Sequence, residues 1–103
     1  MGKMQRDKGA RFERECVKQL NFHDIVAKRV PLSGATWLKG DIIAEIKGEE
    51  WTLELKKRAD GFKQIYEWSK DVDALVIGAD RKKPMICMDL DDFCDLVNNV
   101  RNK

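Results

Sequence analysis

The chain has 103 residues, a length typical of one domain, which we place over residues 1–103. Hydrophobic residues make up 43% and charged residues 37% of the sequence, no apolar run approaches the roughly 18 residues of a membrane span, and the polar N-terminus lacks a signal-peptide core. These features argue against a membrane protein and predict a cytoplasmic one, in a prokaryotic cell or a phage-infected host. The net charge of the chain is only +2, but residues 1–39 have a net charge of +5, which suits binding to nucleic acid.

Eight elements are predicted from hydrophobic periodicity and turn signals. In chain order they are a helix over residues 6–20, strands over 25–30, 41–46 and 51–57, a helix over 60–70, strands over 74–77 and 85–88, and a final helix capped by Asp89 or Asp91 that ends near residue 100. The apolar run 74–77 is typical of a buried strand. The order α-β-β-β-α-β-β-α predicts an α/β sandwich, with a mixed five-stranded sheet and helices on both sides.

A turn signal at residues 47–50 predicts that the second and third strands form an antiparallel hairpin. We expect residue 44 to pair with residue 53, and a two-residue turn at 48 and 49 gives the same register. In that register Asp41 lies directly across from Lys56, with Cβ atoms about 4.5–5.5 Å apart, and Glu54 is its diagonal neighbour at about 7–8 Å. Two carboxylates and an ammonium group are therefore expected on one face of the hairpin.

This combination of side chains suits the hydrolysis of a phosphodiester. Two carboxylates at such a separation can share a magnesium ion, which both activates water and stabilises negative charge in the transition state. Lys56 is placed to stabilise that charge or to orient the water. The pattern predicts a metal-dependent phosphodiesterase, in practice a nuclease. Because Glu-x-Lys is also common on ordinary exposed strands, the structural alternative of a solvated polar face stays open.

Glu13 strengthens the catalytic interpretation. It lies on the apolar face of the first predicted helix, which is formed by residues at three-and-four spacing: Ala10, Glu13, Cys16, Val17 and Leu20. A carboxylate on a buried face is unusual unless it is paired or metal-bound. If that helix packs beside the hairpin, Glu13 becomes a third acidic group at the same site.

Other reactive residue types receive ordinary interpretations. The three cysteines are predicted to be reduced and core-filling, because their number is odd and none has metal-ligand spacing: Cys16, Cys87 and Cys94. His23, the only histidine, is predicted to lie at the surface near a helix end rather than to act as a general base. Glu45 is predicted to be solvated. The basic run 56–58 either ends a solvated strand or contacts phosphate beside the site.

Several motifs together resemble a known family. Asp41 with Glu54-Leu55-Lys56 resembles the PD-(D/E)xK nuclease signature, with Gly40 in place of the proline. The segment over residues 8–15 is similar to the N-terminal motif of archaeal-type Holliday junction resolvases. Further similarity is found at Arg29-Val30, Ser33-Gly34 and Lys39-Gly40-Asp41. The segment 60–68 resembles small resolvase-like proteins of phages and bacteria.

The resemblance implies a restriction-endonuclease-like fold and a magnesium-dependent or manganese-dependent homodimer that cuts two opposed strands of a four-way DNA junction in recombination and repair. It implies that the catalytic residues are Glu13, Asp41, Glu54 and Lys56, and that the metal ligands are Glu13, Asp41, Glu54 and the main-chain carbonyl of Leu55. Residues expected to contact DNA are Arg11, Arg14, Arg29, Ser33, Lys39, Lys57 and Arg58. Gln64 is a candidate for supporting the active site.

A symmetric dimer would match the near two-fold symmetry of a junction and select it by shape. Ile86, Met88 and Phe93 are candidates for its interface, with an ordinary core as the alternative. Two other functions stay open. One is a different structure-specific or restriction-like nuclease that acts on flaps, nicks or duplex DNA, and the other is a DNA-binding module without turnover.

Overall fold

The computed structural model describes residues 2–30 and 40–100, with the side chains of residues 9–30 and 40–100. Its elements are α1 (Gly2–Phe22), β1 (Ala27–Arg29), β2 (Ile42–Ile46), β3 (Glu49–Leu53), α2 (Lys63–Trp68), β4 (Leu75–Ile77), β5 (Met85–Cys87) and α3 (Leu90–Val97). The predicted order of helices and strands is confirmed. None of the helices described has the length and apolar character needed to cross a membrane.

The predicted mixed five-stranded sheet is wrong for the part of the chain that the structure describes. The strands form two antiparallel sheets, one with the order β1-β2-β3 and one made of β4 and β5 alone. Each hydrogen-bonded pair joins strands that are consecutive in the sequence. Such local pairing closes short loops, which costs less chain entropy than pairing distant segments. The mixed α/β composition is therefore confirmed, but the continuous sheet is not.

The central hairpin has a register that differs from the predicted one by two residues. Ala44 pairs with Trp51, and not with Leu53. The cause is a two-residue turn of Lys47 and Gly48, whose φ angles of 54° and 80° match the left-handed conformation that such hairpin turns require. Because side chains alternate with a period of two, a shift of two residues keeps every side chain on its predicted face, so the hydrophobic pattern could not reveal it.

The buried core lies between α1, the three-stranded sheet and α3. It consists of Cys16, Leu20, Ile25, Ala27, Ile42, Ala44, Ile46 and Cys94. Full burial of an aliphatic side chain of this kind contributes about 1.5–3 kcal/mol. The three cysteines are free, as predicted, and burial raises the pKa of the thiols of Cys16 and Cys94. Both thiols therefore stay protonated at neutral pH and are unsuited to nucleophilic chemistry.

α1 and α3 are joined by a polar cluster around His23. Its Nε2 lies 2.8 Å from Oδ1 of Asp91, and its Nδ1 lies 3.6 Å from Oδ1 of Asp95. The histidine follows α1, as predicted, but its side chain is only 15% exposed, so the expected surface position is wrong. Asp89 is the N-cap of α3 and accepts a hydrogen bond from the main-chain N–H of Asp91, which confirms one of the two predicted caps.

The region of α2, β4 and β5 leaves large apolar side chains in solvent. Val76 is 64% exposed, so the predicted buried strand is wrong at this position. The exposed apolar side chains of this region, which we call the apolar surface, are Tyr66, Trp68, Val72, Val76, Met85 and Ile86. An isolated two-stranded sheet is marginally stable in water. Phe93, by contrast, packs against the buried core, so the core alternative holds for it rather than the interface.

A candidate active site between the first helix and the central hairpin

One cavity of about 580 Å³ brings together the four residues predicted to be catalytic. Glu13 comes from α1, Asp41 directly precedes β2, and Glu54 and Lys56 follow β3. The described residues that line it are Gly9, Phe12, Glu13, Asp41, Glu54, Leu55, Lys56, Lys57, Arg58 and Ala59. Polar groups from three separate segments of the chain therefore border a single solvent-accessible space.

Asp41 is held at the end of the hairpin by its own backbone and side chain. Its main-chain N–H donates to the carbonyl of Leu53 at 2.7 Å, and its Oδ2 accepts a hydrogen bond of 2.7 Å from the main-chain N–H of Leu55. Hydrogen bonds that involve an ionised carboxylate are stronger than those between neutral groups. The carboxylate thus links the start of β2 to the chain that leaves β3.

Gly40 permits this arrangement. Its φ is 96°, and a Cβ atom added there would lie 3.0 Å from the carbonyl oxygen of Leu53. A proline has a φ near −65° and cannot adopt this conformation. The structure therefore gives a physical reason why this chain has glycine at the position where the PD-(D/E)xK signature has proline.

Glu54 and Lys56 lie beyond the last paired residue of β3. Their side chains form an ion pair in which Nζ of Lys56 is 3.2 Å from Oε2 of Glu54, and each side chain is 57% exposed. The predicted register placed Lys56 across from Asp41, but the observed ladder pairs Ile42 with Leu53, so its continuation would place Glu54 there. An exposed pair of this kind adds at most about 1 kcal/mol to stability, so both side chains are free to rearrange around a ligand.

Glu13 is partly buried, as the helical periodicity predicted, and it is paired. Nε of Arg29 donates to Oε1 of Glu13 at 2.9 Å, and the side chains are 36% and 21% exposed, respectively. Either a charged partner or a metal ion could explain a carboxylate on the apolar face of α1, and the structure shows a charged partner. Because the guanidinium of Arg29 neutralises Glu13, the burial of this residue is not by itself an argument for a cation.

The donor set at the cavity suits a hard divalent ion. Carboxylates and main-chain carbonyls are the ligands that magnesium prefers, whereas zinc sites draw on cysteine and histidine, and neither is among the described residues that line the cavity. Among the side chains of residues 9–30 and 40–100, no three His, Cys, Asp or Glu residues are gathered closely enough to form a metal-binding group. The carboxylates therefore match magnesium in chemical type, while each is engaged with a neighbour in the protein.

Two further basic residues predicted to contact DNA also line the cavity. Nζ of Lys57 lies 5.2 Å from the ring centroid of Phe12, a cation–π contact. Nη1 of Arg58 donates to the carbonyl of Lys57 at 3.3 Å. Both side chains are exposed, so they border the carboxylates and remain open to an anionic ligand.

Four other predicted site residues that the structure describes do not line this cavity: Arg11, Arg14, Arg29 and Gln64. Arg11 and Arg14 are exposed on α1, and Gln64 is exposed on α2. Ser33 and Lys39 lie outside the residues that the structure describes.

Three lining residues had no role in the sequence-based prediction: Gly9, Phe12 and Ala59. Phe12 packs partly against the core while its ring faces Lys57. Its position directly before Glu13 could have indicated that Phe12 lies near the site. Helical periodicity alone, however, assigns a phenylalanine to the core. Its contact with a cation depends on how α1 docks against the chain that follows β3.

Comparison with known proteins gives one family match. A family model described as archaeal Holliday junction resolvase (Hjc) matches residues 4–92. The matched range contains the residues from Gly9 to Ala59 that the structure shows lining the cavity. No curated protein and no solved structure matches the chain.

Proposed function

This chain belongs to the archaeal Holliday junction resolvase family, and from that premise we propose that it is a metal-dependent endodeoxyribonuclease that resolves four-way junctions. Membership makes it a nuclease of branched DNA. The proposed reaction is the hydrolysis of phosphodiester bonds in two opposed strands. The observation that carries the proposal is the convergence of Glu13, Asp41, Glu54 and Lys56 on one cavity from three segments.

We assign the metal to the acidic side of this cavity. Glu13, Asp41, Glu54 and the main-chain carbonyl of Leu55 would hold magnesium, with manganese able to replace it. When bound, such an ion supplies Lewis acidity and lowers the pKa of a coordinated water. The exposure of Glu54 and its weak pairing with Lys56 leave that carboxylate free to turn toward a cation.

The basic side of the cavity would act on the phosphate. The ammonium group of Lys56 stabilises the negative charge that develops as water attacks phosphorus. A guanidinium has five N–H donors. Because Arg29 uses its Nε on Glu13, its terminal amino groups stay available to a phosphate oxygen. Arg29 would thus position the acidic group and the substrate together.

Flanking phosphates would be bound beside the reacting one. Lys57 and Arg58 line the same cavity, and the ring of Phe12 restricts where the ammonium of Lys57 lies. Arg11 and Arg14 would extend the contact along α1. Ser33 and Lys39, and Gln64 as support for the site, remain proposals from the family resemblance. Contacts of this type supply affinity and register without reading base sequence, which suits an enzyme that recognises DNA by its shape.

We further propose that the functional unit is a homodimer in the cytoplasm. The apolar surface includes Val76 and Ile86, which pair across β4 and β5 and are 64% and 65% exposed, so a second copy would cover them together, and exposed apolar patches mark interaction sites. Covering β4 and β5 would also stabilise a sheet of only two strands. An isologous dimer presents two cavities related by two-fold symmetry, which matches the two opposed strands that must be cut.

The test is cleavage of a labelled synthetic four-way junction with magnesium, with manganese, and with EDTA. We expect cleavage with either ion and none with EDTA. Glu54→Gln should reduce the rate on the order of 100-fold or more, since it removes a ligand charge. Glu45→Gln is the matched control, because Glu45 is an exposed strand glutamate outside this cavity, and it should keep the wild-type rate.

The same assay separates the alternative functions. Flap, nicked and linear duplex substrates compete with the junction, and a preference for one of them would replace junction resolution with another nuclease activity. Salt-dependent binding without cleavage by any divalent ion would identify a non-catalytic DNA-binding module. Full activity of the Glu54→Gln enzyme would disprove the assigned site.

A further inference from the structure

We propose that the turn between β4 and β5, residues 79–84, is a second contact for the phosphate backbone of DNA, separate from the candidate active site. We call this segment the basic turn. The inference rests on the proposed function for the identity of the ligand as DNA. None of its residues lines the cavity that contains Asp41 and Lys56.

The basic turn is an ordered structure on a paired hairpin. Ile77 pairs with Met85 at its base. The main-chain N–H of Lys82 donates to the carbonyl of Ala79 at 3.1 Å, which closes a tight turn at its tip. Every residue from 79 to 84 is exposed. The turn therefore presents its side chains from a defined backbone, and less ordering is needed when a ligand binds.

The positive charges of the basic turn outnumber its carboxylates. It contains Arg81, Lys82 and Lys83 against a single carboxylate, Asp80. Within the part of the chain that the structure describes, none of these three cations forms a side-chain hydrogen bond or ion pair. The hairpin segment over residues 74–88 has a net charge of +2, equal to that of the whole chain. Three adjacent cations without a protein partner suit a polyanionic ligand, and phosphate is the group that they would neutralise.

The backbone conformation of Arg81 defines its place in the turn. Its φ is 63°, a left-handed conformation in which arginine is uncommon and glycine or asparagine is favoured. Arg81 is the third residue of the tight turn that the hydrogen bond from Lys82 to Ala79 closes, and it is exposed there.

The central hairpin supplies a matched comparison. Lys47 also has a positive φ, 54°, in a hairpin turn, but its surroundings are acidic: Glu45, Glu49 and Glu50. Lys47 and Arg81 thus share a backbone conformation and a charge, and they differ in the charge around them. Only the turn with Arg81 has the net positive charge that a phosphate backbone would recognise.

The experiment compares Arg81→Asn with Lys47→Asn, together with the triple variant Arg81→Asn/Lys82→Gln/Lys83→Gln. Asparagine tolerates the left-handed conformation, so both turns are preserved while one charge is removed. Binding to a labelled four-way junction is measured in EDTA over a range of NaCl concentrations. Circular dichroism melting confirms that each variant is folded.

We expect the slope of log affinity against log salt to fall by about 0.9 for each phosphate contact that is lost, hence by up to about 2.7 for the triple variant. The affinity of the triple variant at moderate salt should fall at least roughly tenfold, and that of Lys47→Asn should stay within about twofold of wild type. At saturating enzyme, single-turnover cleavage by the triple variant should match wild type, because the cavity is untouched.

The outcomes separate this inference from the proposed function. Equal slopes for the triple variant and Lys47→Asn would overturn the inference even if the wild-type protein cuts junctions. A change in molecular mass without a change in salt slope would also overturn it, since the turn would then contact a second copy of the chain. If the triple variant has a smaller slope of log affinity against log salt but the wild-type protein never cuts DNA, the inference is supported and the proposed function is disproved.

Discussion

The carboxylate of Asp41 accepts a hydrogen bond of 2.7 Å from the main-chain N–H of Leu55, across the open end of the central hairpin. The bond lies beyond the last ladder pair, Ile42 with Leu53, so it extends the connection between the two chain segments by a side chain. Asp41 therefore has a structural role in positioning residues 54–56 in addition to its proposed role as a metal ligand. Substitutions can separate these two roles.

The first prediction concerns Asp41. Asp41→Asn keeps a side-chain oxygen that can accept from Leu55, so we expect the free energy of unfolding to change by less than about 1 kcal/mol while cleavage is lost. Asp41→Ala leaves that N–H without its partner and should lower stability by about 1–3 kcal/mol. Urea denaturation and junction cleavage, measured on the same samples, test both. Equal stability of the two variants would contradict the structural role.

The second prediction concerns Gly40. Gly40→Ala should destabilise the protein by about 1–3 kcal/mol, because an L-residue is strained at a φ of 96° and its Cβ would meet the carbonyl oxygen of Leu53 at 3.0 Å. Gly78→Ala is the matched control, since a Cβ atom there meets nothing within 4 Å. Thermal melting of both variants is sufficient. A similar small change at both positions would show that Gly40 is replaceable.

The third prediction concerns the pair formed by Glu13 and Arg29. A double-mutant cycle with Glu13→Gln and Arg29→Gln should give a coupling free energy of about 1 kcal/mol, modest because Arg29 is 36% exposed. The coupling should weaken as NaCl increases. Arg29→Gln should also weaken junction binding more than its effect on stability explains. A coupling free energy of zero at low salt would argue against the pair.

The fourth prediction is a pH dependence. Hydrogen bonds from Gln19 and then from His23 lower the pKa of Asp91 from its usual value of 3.8. Asp91 therefore binds a proton more readily in the unfolded chain than in the folded protein, so its ionised carboxylate stabilises the folded state. This stabilisation is present above about pH 3.8 and is lost as the pH falls through the lower pKa of the folded state. Gln19→Leu removes the hydrogen bond that lowers the pKa of Asp91 most. The variant should therefore have a higher pKa at Asp91 and should lose less stability in acid. Carboxyl NMR titration of both proteins tests this, and an unchanged pKa would contradict it.

The fifth prediction concerns the proposed dimer. Ile86→Glu places a charge on the apolar surface and should shift the protein from dimer to monomer in sedimentation experiments, because a buried unpaired charge is costly at an interface. Val26→Glu is the control, since Val26 is similarly exposed, at 67%, but lies between α1 and β1. Val26→Glu should leave the mass unchanged. A wild-type protein that sediments as a monomer at all concentrations would contradict the proposal.

The sequence predicted the elements and the members of the cavity better than their connections. The helical spacing of Glu13 with Val17 and Leu20 placed this carboxylate at the edge of the core, but Arg29, its partner, is 16 residues away and no periodicity indicates it. The alternation along β3 assigned faces correctly, but the register predicted for the hairpin was wrong by two residues. Positive φ at Lys47 decides it, and a lysine is a weak signal for that conformation.

The failures at β4 and β5 have a different cause. An apolar run such as residues 74–77 predicts burial, but it does not say what covers the strand. In the structure Val76 is 64% exposed, since no described element covers its face of the β4–β5 sheet. Similarly, the partners of His23 lie 68 and 72 residues away on α3, at Asp91 and Asp95, and only the docking of α1 against α3 brings them together. Long-range contacts of this kind are set by packing and not by local sequence.

The turn of Lys47 and Gly48 has an influence that reaches the opposite end of the hairpin. Five residue pairs separate it from Asp41, yet its length alone determines whether the next position across the hairpin belongs to residue 54 or residue 56. A four-residue turn over residues 47–50 would pair residue 46 with residue 51, which would put the ammonium of Lys56 in place of the carboxylate of Glu54 opposite Asp41 and leave every apolar side chain on its original face. A surface loop remote from the chemistry would thereby reset the electrostatics of the cavity while the core stayed intact.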